Sequence, residues 1–234
     1  GEAVGKRDAR AVWETMFANA WKNGDPGVIF IDRINAGRAN PVPPRGPVES
    51  TNPCGEQPLY PYDSCNLGSI NLGHFTRGVA GNKTVDFEAL GTVVRRTVHL
   101  LDNVIEMNNY PIPEIAETSH AIRRIGLGVM GWADLLIELR VPYDSEEALT
   151  TAREVMSHIQ READAASEQL ARVRGNFPDW SESIYGPGGM EGPRPMRNST
   201  RTTIAPTGTL SIIANCSGGI EPVFSLAFIR SHYL

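Results

Sequence analysis

The sequence predicts an α/β fold with a mostly parallel sheet or barrel. Short apolar runs typical of strands alternate along the chain with longer amphipathic stretches typical of helices, and this alternation characterises parallel-sheet architectures. In addition, 41% of the 234 residues are hydrophobic and 21% are charged, as expected of a chain that folds around a sizeable core.

The N-terminal part is predicted to form a helix, a turn and a strand before a long loop. Apolar residues recur at helical spacing from about Lys6 to Asn23, and Gly24–Gly27 is a turn sequence. The apolar run Val28–Ile31 predicts a strand buried on both faces. The loop from Asn35 to about Pro61 holds seven prolines, and loops this long are usually functional or disordered.

The middle of the chain predicts one strand and three helices. Cys65–Leu72 is a strand candidate, and Phe87–Met107 carries its apolar residues on one helical stripe. Pro113 opens a second helical stretch that runs to about Leu139. Asp144 and Glu147 form a capping-box pattern for a third helix.

That third helix is predicted over about Ser145–Arg174, and Gly175 is a suitable stop for it. An irregular stretch follows from Asn176 to Arg197. The remaining candidates are two strands and a short helix. They are the strand Thr202–Ala205, the helix Gly208–Ala214 and the strand Val223–Phe228.

Composition excludes several classes of protein. The formal net charge of −5 argues against a protein that binds nucleic acid through its phosphates. The apolar runs are too short to cross a membrane, and no signal peptide precedes them. The three cysteines form no disulfide framework and no zinc spacing, so we expect a cytoplasmic protein without a bound metal. Because the chain starts with Gly1, we expect an internal piece of a longer protein.

The run Ile125–Gly131 contains a GxGxxG pattern. A dinucleotide site needs a strand before this pattern and a helix after it. The residues before it continue the predicted helix from Pro113. We therefore interpret the glycines as small residues that allow close helix packing rather than nucleotide binding.

The loop segment Asn52-Pro53-Cys54-Gly55-Glu56 brings together an amide, a thiol and a carboxylate. If the segment is extended, side chains two residues apart face the same way and converge on one bound molecule. The alternative is a buried structural cysteine beside a surface glutamate.

Cys65 follows Cys54 by eleven residues, at the start of a strand candidate. A loop tip and a strand start can bring two thiols close enough for exchange chemistry. The alternative is two unrelated core cysteines. Ala205–Ser211 combines a strand end, a turn and a helix start, which suits either phosphate binding or an ordinary helix cap. Cys216 is interpreted as a packed residue.

Five segments together resemble the ribonucleotide reductase family. Thr51–Leu59 (TNPCGEQPL) and Ser64–Leu72 (SCNLGSINL) are similar to its active-site region. Gly24–Asn35, Arg123–Leu136 and Arg201–Glu221 are similar to other segments of the family, in the same order. The segments NPCGEQPL and PTGT are most similar to the corresponding segments of the class II, adenosylcobalamin-dependent enzymes.

The resemblance implies that residues 1–234 are part of a ten-stranded α/β barrel with a finger loop through its centre. The finger loop spans about 40–64, a helical segment about 86–174 and a phosphate-binding turn about 205–211. It also implies that the GxGxxG segment lies in a helix. The second reducing cysteine, a C-terminal cysteine pair and the allosteric region are then outside this chain, and the fragment alone is inactive.

The resemblance also implies roles for individual residues. Cys54 becomes the thiyl radical, Glu56 is the general base, Asn52 orients the substrate, and Cys65 is one of two reducing thiols. The substrate phosphates are held by a run of turn residues. These residues are Pro206, Thr207, Gly208, Thr209 and Leu210.

The implied cofactor is adenosylcobalamin, and the implied partners are a ribonucleotide substrate, an external thiol reductant such as thioredoxin, and a second copy of the full-length parent. Three other interpretations stay open. The chain could belong to a class I large subunit, to a simple thiol–disulfide oxidoreductase that uses Cys54 and Cys65, or to a non-catalytic remnant. The oxidoreductase requires no phosphate site and no radical cofactor.

Overall fold

The computed structural model describes residues 4–225 and 227. Within them the chain forms seven α-helices, six strands and several 3₁₀ turns. The helices are α1 (Ala9–Asn23), α2 (Ile31–Asn35), α3 (Phe87–Met107), α4 (Pro113–Ile122), α5 (Trp132–Leu139), α6 (Glu146–Arg174) and α7 (Gly208–Ile213). The strands are β1 (Ser50–Thr51), β2 (Pro58–Leu59), β3 (Asn66–Asn71), β4 (Thr76–Val79), β5 (Asn82–Val85) and β6 (Ile125–Met130).

A parallel strand pair forms the centre of the main core. β3 and β6 pair in register from Asn66 opposite Ile125 to Asn71 opposite Met130. The chain between them runs through the β4–β5 hairpin, α3 and α4, which makes a crossover of the βαβ kind. This pair confirms the predicted parallel α/β arrangement.

Helix α3 covers the residues that its periodicity predicts. The Asp86 side chain caps it by accepting from the Ala89 N–H at 3.0 Å. Its buried stripe packs on α6 and on the strand pair. The residues of that stripe are Leu90, Gly91, Val94, Val98, Leu101, Asp102 and Ile105.

Helix α6 is confirmed, but its predicted cap is wrong. The N-cap is Ser145, whose hydroxyl accepts from the Ala148 N–H at 3.1 Å, and Asp144 lies one residue outside the helix. Gly175 ends the helix with a φ of +84°, which a glycine adopts without steric cost.

The predicted continuous helix from Pro113 to Leu139 is wrong in its middle. Helix α4 ends at Arg123, whose φ is +48°, and the chain then extends into β6. The GxGxxG segment is therefore a strand, which corrects both the helical prediction and the placement implied by the family resemblance. All six residues of β6 are buried, so the sequence has no alternation that would reveal a strand.

The glycines of β6 do serve close packing, but in a strand that lies against other chain segments rather than in the expected helix. A Cβ on Gly128 would lie 2.4 Å from the Thr203 carbonyl oxygen, and one on Gly126 would lie 2.6 Å from the Gln57 amide nitrogen. The segment that contains Thr203 therefore runs directly against the β6 backbone. Gly131, with a φ of +69°, makes the turn from β6 into α5.

The N-terminal prediction is half confirmed. Helix α1 forms, capped by Asp8. The predicted strand Val28–Ile31 is wrong, because residues 28–30 form no regular element and pair with no strand in the described part of the chain, and Ile31 begins α2. The side chains of Val28, Ile29 and Phe30 are about half exposed, at 50%, 47% and 62%. A buried strand needs neighbours on both edges and faces, and the described residues supply none here.

Near the C-terminal end, α7 is confirmed over Gly208–Ile213. The strand predicted over Thr202–Ala205 is reduced to one parallel bridge between Thr202 and Leu127. Of the last predicted strand, Val223–Phe228, residues 223–225 are not in a strand, and 226 and 228 lie outside the described residues. The β4–β5 hairpin was not predicted from the sequence.

A second hydrophobic cluster holds the long proline-rich loop. It packs Val42, Val48 and Tyr60 of the loop against Ile122 and Phe177. The loop is thus ordered by its own small core, and it carries the β1–β2 hairpin at a fixed place. Within residues 4–225 and 227, no helix is both long and apolar enough to span a bilayer.

Candidate active site

A β-hairpin presents Cys54 at its tip. Strands β1 and β2 pair antiparallel, with Ser50 opposite Leu59 and Thr51 opposite Pro58. The intervening turn is closed by the Gly55 N–H, which donates to the Asn52 carbonyl at 3.0 Å. Asn, Pro and Gly at the first, second and fourth positions are typical of such a turn. The hairpin leaves the Cys54 side chain exposed.

The expectation that residues 52–56 form an extended segment is therefore wrong. The side-chain oxygen of Asn52 accepts from the Gln57 N–H at 3.0 Å, and the Asn52 N–H donates to the Gln57 carbonyl at 3.1 Å. Asn52 thus closes the hairpin with these two hydrogen bonds. The segment forms a turn instead of an extended strand because proline and glycine favour turns.

Glu56 sits at the root of the turn and faces a cavity of about 470 Å³. Its carbonyl accepts from the Thr203 hydroxyl at 2.9 Å, which ties the hairpin to the segment beside β6. One carboxylate oxygen, Oε2, is buried and has no hydrogen-bond partner among the described residues. An unpaired buried carboxylate oxygen is costly, so this atom is suited to accept a proton or a hydrogen bond from a ligand.

Cys65 lies directly before β3 and is partly buried, with its Sγ 3.6 Å from the Asn66 carbonyl oxygen. Burial raises the pKa of the Cys65 thiol to about 12; Arg124 opposes this shift, whereas Asp63 and Glu56 add to it. The carboxylate of Glu56 is thus close enough to act electrostatically on Cys65. Cys54 and Cys65 are both free thiols.

Within the predicted phosphate-binding turn, about 205–211, Thr207 is the N-cap of α7 and has a φ of +53°. The Thr207 hydroxyl accepts from the Gly219 N–H at 2.8 Å, so it is used within the protein. Pro206, Gly208, Thr209 and Leu210 are exposed. Since the first N–H groups of a helix have no intrahelical acceptor, those of 208–210 are available to an anion.

Cys216 lies in the turn after α7, where its N–H donates to the Ser211 carbonyl at 3.0 Å. Burial raises the pKa of its thiol. It is a free, partly buried cysteine, and we give it no chemical role. The described residues form no cluster of three or more His, Cys, Asp or Glu side chains that could bind a metal ion.

Sequence reasoning missed two charged residues beside the site. Arg124 and Asp63 form a buried ion pair with an Nε–Oδ2 distance of 2.7 Å. An arginine directly before a buried apolar strand was the available signal, because a buried charge needs a partner.

This chain is similar to known proteins in both sequence and structure. The family model for the ribonucleotide reductase barrel domain matches residues 2–233. The chain belongs to the ribonucleotide reductase family. A solved structure of the same family, the Actinobacillus ureae class Id ribonucleotide reductase alpha subunit, superposes with a TM-score of 0.70 at 27% identity. The match covers 91% of this chain and 39% of that one, so the fold is that of the family's α/β barrel.

Curated reductases agree with this assignment. A vitamin B12-dependent ribonucleoside-diphosphate reductase of Thermoplasma acidophilum is 52% identical over 95% of this chain and 28% of its own length. One of Mycobacterium tuberculosis (strain CDC 1551 / Oshkosh) is 47% identical over 99% of this chain and 32% of its own length. This chain therefore spans about a third of the reductases it matches.

Proposed function

We propose that this chain is the part of a ribonucleoside-diphosphate reductase that carries its radical cysteine and one reducing cysteine. The carrying observation is the hairpin, which presents Cys54 at its tip and holds Glu56 at its root within electrostatic reach of Cys65. The names of the two relatives above support a diphosphate substrate.

In the proposed reaction, a Cys54 thiyl radical removes the 3′ hydrogen of the ribonucleotide. Glu56 takes the proton of the 3′ hydroxyl, for which its unpartnered Oε2 is suited. Two reducing thiols supply two electrons and two protons and end as a disulfide; Cys65 is one of them, and the other lies outside this chain. One proton lets the 2′ hydroxyl leave as water, and the other goes to C2′. The 3′ hydrogen then returns from Cys54, and Glu56 returns its proton to the 3′ oxygen.

Substrate phosphates are proposed to bind at the turn before α7. Its exposed or half-exposed positions are Pro206, Thr207, Gly208, Thr209 and Leu210. Among them, the backbone N–H groups of 208–210 and the Thr209 hydroxyl can donate to an anion. The bond between Thr203 and Glu56 links this turn to the hairpin through a few residues of chain. A ribonucleotide whose sugar lies at the hairpin can thus place its phosphates at the turn.

The proposed cofactor is adenosylcobalamin, which would generate the radical at Cys54. The exposed Cys54 thiol is open to such a group. We assign no cobalamin-contacting residue.

We also propose the partners and the location that the family resemblance implies. An external thiol reductant such as thioredoxin would restore the reduced thiols, and the full-length parent would form a homodimer. The protein would act in the cytoplasm, in the synthesis of DNA precursors.

The test is an assay of the full-length protein with a dithiol reductant, in which each ribonucleotide is supplied as the diphosphate or as the triphosphate. We expect deoxyribonucleotide from the diphosphate, only when adenosylcobalamin is present. Product formed only with a separate radical-generating subunit would indicate a class I enzyme. Thiol exchange without any nucleotide reduction would indicate a simple oxidoreductase.

A further inference from the structure

A buried ion pair joins the start of β6 to the segment between the hairpin and β3. Nε of Arg124 donates to Oδ2 of Asp63 at 2.7 Å, and the two side chains are only 1% and 0% exposed. The two residues are 61 positions apart in sequence. Because removing one member of a buried pair is strongly destabilising, this contact fixes the two segments relative to each other.

Asp63 also organises the backbone next to Cys65. Its carboxylate accepts from the Ser64 N–H at 2.8 Å and from the Tyr60 N–H at 3.3 Å. The guanidinium of Arg124 lies over the Tyr60 ring, 5.6 Å from its centroid. The ion pair thus holds the residue that leaves the hairpin and the residue that precedes Cys65.

The Arg124 guanidinium can donate further hydrogen bonds. Nη2 of Arg124 is buried and has no hydrogen-bond partner among the described residues. Arg124 and Glu56 line the same cavity, and Oε2 of Glu56 is likewise without a partner in the described part of the chain. A buried donor without a hydrogen-bond partner lowers the stability of the fold. We therefore infer that Arg124 has a role in the site and not only in the fold.

The charges that act on Cys65 are of both signs. Asp63 and Glu56 raise the pKa of its thiol, in addition to burial, and Arg124 lowers it. A thiol that forms a disulfide and is reduced again reacts as its thiolate. A cation beside Cys65 therefore favours the form that reacts.

We propose that Arg124 is a positioning residue for Cys65: through Asp63 it holds Ser64, the residue before Cys65, and its positive charge acts on the thiol. This rests on the proposed function, in which Cys65 is a reducing thiol. Arg124 itself does not touch the substrate in this proposal.

The experiment measures alkylation of Cys65 in the reduced full-length protein. Iodoacetamide is added at pH 9, and the labelled Cys65 peptide is quantified by mass spectrometry against the Cys216 peptide of the same sample. The variants are Arg124→Gln, Arg124→Lys and Asp63→Asn. Arg172→Gln is the matched control, because the Arg172 side chain is 72% exposed.

We expect Arg124→Gln to slow the labelling of Cys65 by about threefold to tenfold, since a tenfold change in thiolate corresponds to about one pKa unit. Arg124→Lys, which keeps the charge, should restore most of the rate. Asp63→Asn should accelerate labelling, and Arg172→Gln should leave it unchanged.

A merely structural role gives a different result, because loosening the pair exposes Cys65 in both variants and accelerates labelling in both. That outcome, or equal rates in all variants, would overturn the proposal. If Arg124→Gln does not fold, the other two variants still test the proposal. Slower labelling of Cys65 in Asp63→Asn contradicts the proposal, and so does a large loss of labelling rate in Arg124→Lys.

The readout also separates this proposal from the proposed function. Labelling reports the charge around Cys65 whether or not the protein reduces ribonucleotides. A protein without reductase activity but with the expected order of labelling rates would contradict only the proposed function.

Discussion

At the scale of single residues, the two thiols of the site are in contrasting environments. Cys54 is exposed at a hairpin tip, whereas Cys65 is partly buried beside two carboxylates. These environments suit their proposed roles, because a radical cysteine must reach the substrate, whereas a reducing thiol must hold the proton that it delivers there and form its thiolate only in exchange with the external reductant.

The pKa of Cys65 leads to a pH prediction. Burial raises that pKa to about 12 from an ordinary value of 9.0, so the thiolate fraction in the folded protein continues to rise above pH 9. We expect the alkylation rate of native Cys65 to keep increasing up to pH 11, whereas the same residue in urea, with its ordinary pKa of 9.0, levels off above about pH 10. Parallel profiles in the folded and unfolded protein would contradict this environment. The raised pKa also means that the stability contributed by the neutral thiol is lost as pH rises from about 9 towards 12.

At the scale of elements, sequence reasoning succeeded where one face of a helix is buried. The stripe of α3 gave its bounds, and α1, β3, α6 and α7 were also found. It failed at β6, where burial on every side removes the alternation and two glycines lower the strand propensity. It also failed at Val28–Ile31, where composition favours a strand but the described residues offer no neighbour.

The site could be predicted from the sequence only in part, because some of its contacts join residues that are far apart in the sequence. The motif around Cys54 is local, so its residues could be named from sequence, and the family resemblance supplied their roles. The Arg124–Asp63 pair spans 61 residues and depends on the pairing of β6 with β3, which no local pattern records.

The cap of α6 provides an element-scale prediction. Ser145→Ala removes the hydroxyl that accepts from the Ala148 N–H, and should lower the free energy of unfolding by about 1 kcal/mol. Asp144→Ala is the control, because Asp144 is exposed outside the helix, and should change it by less than about 0.5 kcal/mol. Urea denaturation measures both. A larger loss for Asp144→Ala would restore the capping box that the sequence suggested.

At the scale of the whole molecule, one buried carboxylate joins four segments. Asp102 of α3 is fully buried and accepts from Arg123 at 2.8 Å, from Arg174 at 2.9 Å and from Asn198 at 3.0 Å. These partners come from the start of β6, the end of α6 and the segment that leads to Thr203. The network therefore sets how the helices meet the strand pair.

Asp102→Asn should destabilise the protein by about 3 kcal/mol or more, because it leaves the buried Arg123 guanidinium without its buried counter-charge and removes the partner of the partly exposed Arg174. Glu106→Gln is the matched control. Glu106 pairs with the same Arg123 but its side chain is 54% exposed, so its loss should cost less than about 1 kcal/mol. Equal losses of unfolding free energy in the two variants would mean that the buried network is not what holds these segments.

The central claim is that Cys54 is the residue at which the reaction begins. Its most direct test is the turnover of the full-length protein in the variants Cys54→Ser and Cys216→Ser, with adenosylcobalamin, ribonucleoside diphosphate and a dithiol reductant. A hydroxyl of the same shape cannot form a thiyl radical, so we expect Cys54→Ser to lose deoxyribonucleotide formation completely. Cys216→Ser, which changes a cysteine without a chemical role, should keep it. Wild-type turnover in Cys54→Ser would contradict the assignment.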